Sequence, residues 1–268
     1  MKGLYDANSV VSYNTSSSQW VTLCGGVSGT VRSVAILGDE VFIGGSISYV
    51  TTCDKPAQVV IVNNIAVFNV SSRSWSRDNR IGQQNALITS LAASKLGDGT
   101  PYLVVAGVQY SQYQGAIPFI ASLNLSSYSW TSMTDWFQSE ATNVYSVVAI
   151  DPTTNDIYVG GSFATINDVP LNNIAKWNRS QSYWVPLGGG VYYVARINSI
   201  DFTSDSRVVI GGYFQGVSNS DSGQQVIDTN NVAMWNQEEW IPLGKGVTGG
   251  SAMSCITQAA IVEDVRND

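Results

Sequence analysis

The chain has 268 residues, 44% of them hydrophobic and only 12% charged, with a net charge of −7 and no histidine. That composition can fill a core and is not that of a disordered chain, and an acidic balance without any basic run argues against nucleic acid or an anionic membrane surface as partner. The missing histidine removes the usual general base, the usual metal ligand and every triad built on one.

With 25 Gly, 8 Trp, 13 Tyr and 7 Phe, abundant Ser, Thr and Asn, and no long Glu/Lys/Ala stretch, the expected class is all-β with many turns. No apolar run reaches the ~18 residues of a transmembrane helix, and residues 1–20 lack the apolar segment of a leader peptide. Residues 8–23, NSVVSYNTSSSQWVTL, read as two short strands around a polar turn. The pattern returns at Asn64-Ile65-Ala66-Val67-Phe68-Asn69 with Trp75, and at Ile120-Ala121-Ser122-Leu123-Asn124 with Trp130. It returns again at Asn173-Ile174-Ala175-Lys176-Trp177-Asn178 with Trp184, and at Asn231-Val232-Ala233-Met234-Trp235-Asn236 with Trp240. The turn asparagines fall at 14, 69, 124, 178 and 236, successive separations of 55, 55, 54 and 58 residues. A period this even means a repeat architecture.

Two more strands lie between copies. One sets a small polar residue before an aliphatic, as in Val31-Arg32-Ser33-Val34 and Ile197-Asn198-Ser199-Ile200. The next is apolar and ends in a glycine pair, as in Val41-Phe42-Ile43-Gly44-Gly45 and Val208-Val209-Ile210-Gly211-Gly212. Four strands in about 55 residues make one propeller blade. The expected fold is therefore an all-β propeller of four-stranded blades, a single region over 1–268. It has a half-blade at 1–30, blades at about 31–80, 86–134, 143–187 and 195–243, and a half-blade at 247–268. We letter the strands a to d from the centre outward: a carries the serine, b ends in Gly-Gly, c holds Asn-Ile-Ala-x-Trp-Asn and d holds Trp-x-x-Leu. Pro186 and Pro242 suit d as the edge strand, and the tryptophans suit packing between blades. The glycine pair implies positive φ or a close approach by a neighbour. The incomplete end blades read either as two halves that pair to close a fifth blade or as the ends of a piece of a longer array, with open edges on which another segment or chain could pair.

Gly-Gly, then an aromatic followed by Asn, then Trp seven positions after that aromatic (Tyr13/Trp20, Phe68/Trp75, Trp177/Trp184) resembles the kelch propeller repeat. The fuller form, Asn-Ile-Ala-x-Trp-Asn with Trp-x-x-Leu-Gly-x-Gly-Val and Gly-Gly-x-Phe, is similar to the secreted propeller repeats of the fungal cortical cell-polarity marker family. Residues 173–214 carry it best. Unit three departs from it, with Leu123 for the aromatic and Met133-Thr134-Asp135-Trp136 for Leu-Gly-x-Gly. The resemblance implies a large extracellular glycoprotein at a cell surface and no reaction. Kelch-like copper oxidases hold their metal with histidines, which this chain lacks.

Four Asn-x-Ser/Thr sequons begin at Asn14, Asn69, Asn124 and Asn178, all in the c–d turn. They read either as good turn residues or as N-glycosylation acceptors of a secreted protein. Cys24 in a d–a connection and Cys53 in the following b–c loop share one face. They read as a disulfide or as two thiols, while Cys255 takes the strand-a serine position. The long-loop face also gathers Tyr49, Tyr110, Tyr113, Trp136, Phe137, Tyr192 and Tyr193. These form either a partner surface, for proteins or glycans, or loop residues folded over the blades. Carboxylates are scattered. Asp201 on strand a has no second carboxylate for acid–base work, and the turn from Asp151 to Asp156 offers weak calcium chemistry. No phosphate-binding loop, dinucleotide fingerprint or CxxC site is present, so no metal or cofactor is expected. The function expected is a non-enzymatic, secreted or cell-surface scaffold for proteins or for self-assembly, with a carbohydrate-binding propeller as the alternative.

Overall fold

The computed structural model describes residues 9–112, 115–134, 137–138, 146–193, 196–220 and 226–247, with backbone only at 137–138. It is built of antiparallel β-sheet, and the chain divides into two compact units, residues 1–131 and 132–268. The division falls within Trp130–Ser132, strand d of the second blade.

In the first unit, Val11–Asn14 and Gln19–Thr22 form a two-stranded hairpin, the c and d of the first copy. The first full blade is Val27–Leu37, Glu40–Thr51, Ile65–Asn69 and Ser74–Trp75, with Val59–Ile61 added alongside the long second strand. The second is Ala86–Lys95, Pro101–Ser111, Gly115–Asn124 and Trp130–Ser132. The second unit repeats this with Ser146–Ile150, Ile157–Gly161, Ile174–Asn178 and Tyr183–Pro186. It then adds Arg196–Phe202, Val208–Tyr213, Val232–Trp235 and Trp240–Pro242. Each blade runs a-b-c-d in space as in sequence.

The serine of strand a marks a β-bulge. The ladder slips between Val31 and Ser33, between Ile88 and Ser90, and between Ile197 and Ser199. At the bulge the Ser33 Oγ accepts a hydrogen bond from the Leu91 N–H of the next blade, at 2.9 Å. The glycine pair serves close approach and not positive φ. A Cβ on Gly45 would stand 1.9 Å from the Thr30 carbonyl oxygen, and one on Gly44 would meet Ile88 and Leu91 at under 3 Å. Gly212 and Gly160 repeat both contacts, against the Arg196 carbonyl and against Ile197. The motif thus exists because the inner strands press on their own bulge on one side and on the neighbouring blade on the other.

The core lies between blades. Phe42, Ile65, Val67, Ile88, Leu91 and Leu103 fill it in the first unit, and Tyr158, Ile174, Val208, Ile210 and Trp240 in the second. Trp184 and Trp240 are 1% exposed, and each indole N–H donates to a main-chain carbonyl 2.8 Å away, that of Met133 and that of Leu187. Trp20, in the lone first hairpin, has the same partner ring (Tyr13, centroids 5.1 Å apart) and yet is 70% exposed.

The long loops are themselves hydrogen-bonded. Gly190–Tyr192 pairs with Gly216–Ser218, which pairs with Val226–Asp228, and Phe137–Gln138 likewise joins Thr165–Ile166 and Val169–Pro170. These two d–a connections therefore each add an edge to a b–c hairpin.

Candidate functional site

The turn asparagines cap their own turns. The Asn14 Oδ1 accepts from the Ser17 N–H, Asn69 from Ser72, Asn124 from Ser126 and Ser127, and Asn178 from Gln181, at 2.8–3.3 Å. Asn236, outside any sequon, does the same with Glu238 and Glu239. The position thus has a structural reason that owes nothing to a glycan. The Nδ2 atoms of Asn14, Asn69 and Asn124 take no partner among the described residues, while that of Asn178 donates to Gln181 Oε1 at 3.2 Å.

At the opposite ends of the strands, a five-residue corner joins d to a. Its copies are Leu23-Cys24-Gly25-Gly26-Val27, Asn79-Arg80-Ile81-Gly82-Gln83, Leu187-Gly188-Gly189-Gly190-Val191 and Leu243-Gly244-Lys245-Gly246-Val247. One backbone hydrogen bond recurs in all four: the N–H of the fourth residue donates to the carbonyl of the first (Gly26 to Leu23, Gly82 to Asn79, Gly190 to Leu187, Gly246 to Leu243) at 3.0–3.4 Å.

The asparagine that opens strand c latches the corner. The Asn173 Oδ1 accepts from the Phe163 N–H at 2.9 Å and its Nδ2 donates to the Val191 carbonyl at 3.0 Å. Asn231 does this with Phe214 and Val247, and Asn64 with Ile47 and Gln83. The residue before it adds a second tie in two copies: Asn172 Nδ2 donates to the Gly189 carbonyl and Asn230 Nδ2 to that of Lys245. The sequence showed the Asn-Ile-Ala motif but not this role, since the two partners lie ten residues upstream and eighteen downstream of Asn173.

The first corner is held covalently. Cys24 and Cys53 form a disulfide across 29 residues, with Cα atoms 4.6 Å apart, and Gly25 and Gly26 exchange backbone hydrogen bonds with Thr51 beside it.

The second corner is the exception. Leu23 and Val27, and Leu187 and Val191, are buried, whereas their counterparts here are Asn79 and Gln83. These two line a cleft of about 430 Å³ on the long-loop side of the first unit. Arg80, Asn63, Gln84 and Gln109 line it too, and half-buried Trp130 forms part of its wall. Among the described residues, the side-chain amides of Asn63, Asn79, Gln83, Gln84 and Gln109 take no hydrogen-bond partner. Arg80 is otherwise engaged. Its guanidinium grips the Asp78 carboxylate, holding that carboxyl below its usual range, and lies 4.0 Å from the centre of the Tyr128 ring. The Trp130 indole N–H reaches the Arg80 carbonyl at 3.4 Å. Aligning the four corners by sequence would have exposed this exchange of Leu and Val for Asn and Gln; the glycine spacing hid it, because only Gly82 survives of the Leu-Gly-x-Gly-Val pattern.

Of the expected aromatic surface, Tyr49, Tyr110, Tyr192 and Tyr193 are described. Tyr49 (39% exposed) and Tyr110 (56%) stand on strands b of successive blades, and among the described residues no ring contact joins them. Tyr110 follows Gln109 at the cleft's edge, and its N–H donates to the Asn85 carbonyl. In the second unit the half-buried Tyr192 accepts a hydrogen bond from Asn172 Nδ2 at 3.1 Å, while Tyr193 is exposed at a positive φ of 64°. Tyr113, Trp136 and Cys255 lie outside the described residues, as does the Phe137 side chain.

Asp151 is fully buried and serves as a turn cap. Burial would raise its pKa, but the hydrogen bonds from Thr153, Ser206 and Thr154 outweigh that and hold it below the usual carboxylate value. Among the described residues no group of three His, Cys, Asp or Glu could hold a metal ion, and no helix is long and apolar enough to cross a membrane.

No protein-family model and no curated protein sequence matches the chain. Solved structures do. TolB from Acinetobacter baumannii aligns at 13% identity and a TM-score of 0.50 over 86% of this chain and 47% of that one. YjhT aligns at 13% identity and 0.45 over 83% and 69%, and the β-propeller domain of the trilobed protease from Pyrococcus furiosus at 12% and 0.43 over 81% and 58%. The chain thus spans about half the length of TolB. Identities this low speak for fold alone. With the four-stranded blades, the likeness to TolB makes the fold a β-propeller.

Proposed function

We propose that the chain is the propeller region of a secreted or cell-surface glycoprotein, a structural or adhesive scaffold that holds other proteins, or further copies of itself, in an extracellular assembly. The observation that carries this reading is the coincidence of four sequons on one repeat position, at exposed turns whose asparagines leave Nδ2 unbonded in three cases of four. The Cys24–Cys53 disulfide fits an oxidising compartment. Residues 173–214, with their resemblance to the secreted repeats of the fungal cortical marker family, point the same way. Within each unit the strands alternate in direction, which sets the c–d turns at one end and the corners and b–c hairpins at the other. Glycans on the turns would leave the second end for partners. The scaffold acts by presentation and not by catalysis, a reading supported by the absence of histidine.

The test is intact-mass measurement of natively sourced protein before and after enzymatic removal of N-glycans. The expected result is a loss of mass with Asn→Asp conversion at Asn14, Asn69, Asn124 or Asn178, and none at Asn236. An unchanged mass overturns the glycoprotein reading.

A further inference from the structure

We propose that the cleft at the Asn79–Gln83 corner is a binding site for a neutral carbohydrate. The argument begins from the repeat. The other copies carry a leucine and a valine at the first and fifth positions, buried at Leu23 and Val27 and at Leu187 and Val191 and exposed at Leu243 and Val247. The second copy keeps the corner's hydrogen bonds, since Gly82 donates to the Asn79 carbonyl, Gln83 donates to Asn63 and Asn64 still latches the Gln83 carbonyl, but it makes them with a 3-10 turn in place of the positive-φ residues of the other copies. It changes the first and fifth residues to Asn79 and Gln83 and the third to buried Ile81. Asn63 is part of the same change. Its counterparts Asn172 and Asn230 use their Nδ2 to tie the corner, and Asn63 makes no such bond among the described residues.

Five unengaged amides therefore converge on one cleft. Each offers two N–H donors and a carbonyl acceptor, and a sugar hydroxyl both donates and accepts, so the chemistries match group for group. Trp130 supplies an aromatic wall on which the C–H face of a pyranose can rest. About 430 Å³ lies within the roughly 300–1,000 Å³ of small-ligand sites. The charge argument excludes an anionic ligand: the one cation in the lining, Arg80, is already neutralised by Asp78, and the chain as a whole carries −7. A peptide would need apolar pockets or a free strand edge, and five of the eight lining residues are Asn or Gln. The proposal holds whether or not the scaffold reading does.

The test is binding of the whole protein to immobilised neutral oligosaccharides built from glucose, mannose, galactose or N-acetylglucosamine, with sialylated and sulfated glycans as controls. At least one neutral series is retained. The double variant Asn79→Leu with Gln83→Val, which puts at positions one and five the residues the other copies carry, weakens that binding at least tenfold without lowering Tm. Gln109→Ala, at an exposed position, weakens it severalfold, and it decides the matter should the double variant fail to fold. Tyr49→Ala leaves it unchanged. Retention of no neutral glycan, retention of acidic glycans alone, or undiminished binding by both cleft variants overturns the proposal.

Discussion

Set the corner at Leu187–Val191 beside that at Asn79–Gln83. Three backbone ties recur: fourth residue bonded to first, fifth residue bonded to the chain ahead of strand c, and one asparagine, Asn173 or Asn64, bridging the corner to the b–c loop. The turn between them differs, since Gly188 and Gly190 take positive φ whereas Asn79–Ile81 is a 3-10 turn with Gly82 at φ −82°. The side chains diverge. In the first corner Leu187 and Val191 are buried, Asn172 adds a second tie, and the Leu187 carbonyl receives the indole N–H of fully buried Trp240. In the second, Asn79, Gln83 and Asn63 stand unengaged around a half-buried Trp130. The difference teaches that the latch and the fourth-to-first bond are kept even where the turn between them is rebuilt. Once shape is secured by backbone bonds, positions one and five can be core in one blade and binding surface in another.

The sharpest way to break this comparison is at the tryptophans. Trp184→Ala empties a site that is 1% exposed and strands the Met133 carbonyl, at an expected cost of about 3–5 kcal/mol. Trp130→Ala, at the cleft wall, costs about 1–2 kcal/mol, since part of the ring already meets solvent. Urea unfolding of the two variants measures both. Equal losses would make Trp130 blade cement like the rest, and the cleft an accident of packing.

The next largest effect separates the covalent corner from the others. Replacing both Cys24 and Cys53 by serine releases a 29-residue loop and costs about 3 kcal/mol. A reductant should lower the Tm of the parent protein and leave the double-serine variant where it is. A parent Tm indifferent to reductant would show that the Gly25 and Gly26 bonds to Thr51 hold this corner unaided.

The latch comes third. Asn173→Ala leaves the Phe163 N–H and the Val191 carbonyl without their partner, for a loss of about 2 kcal/mol. Asn63→Ala removes an amide that bonds nothing among the described residues and should change stability by less than about 0.5 kcal/mol. Thermal unfolding of this pair reads the contrast directly, and a costly Asn63→Ala would mean that the second corner is tied as the third is.

The blades were legible in the sequence because each strand type carries its own signature at a period of about 55 residues: Ser33 at the bulge, Gly44-Gly45 against the neighbouring inner strand, Trp184 in the core. The Cys24–Cys53 pairing was legible from strand direction alone, which brings a d–a connection and the next b–c loop to one face. The latch was not, because Asn173 acts on main-chain atoms, and a main-chain atom leaves no mark on residue type. Nor was the cleft. The informative signal was the loss of leucine and valine at two positions of a repeat, visible only once Gly82 is aligned with Gly190 and Gly246 by the carbonyls they crowd.

The smallest effect tests the comparison most closely. If backbone and latch alone shape the corner, then Asn79→Leu with Gln83→Val should leave stability within about 1 kcal/mol of the parent, and on the favourable side. The two amides make no hydrogen bond among the described residues that would be lost, and the apolar side chains can recover some contact area as the cleft narrows. A Tm at or above that of the parent, together with loss of cleft binding, would show side chains kept polar against the preference of the fold, the ordinary mark of a functional position. A fall of more than about 1 kcal/mol would instead mean that Asn79 and Gln83 are part of how the corner is built, and the division between shape and surface argued from Leu187–Val191 would not hold.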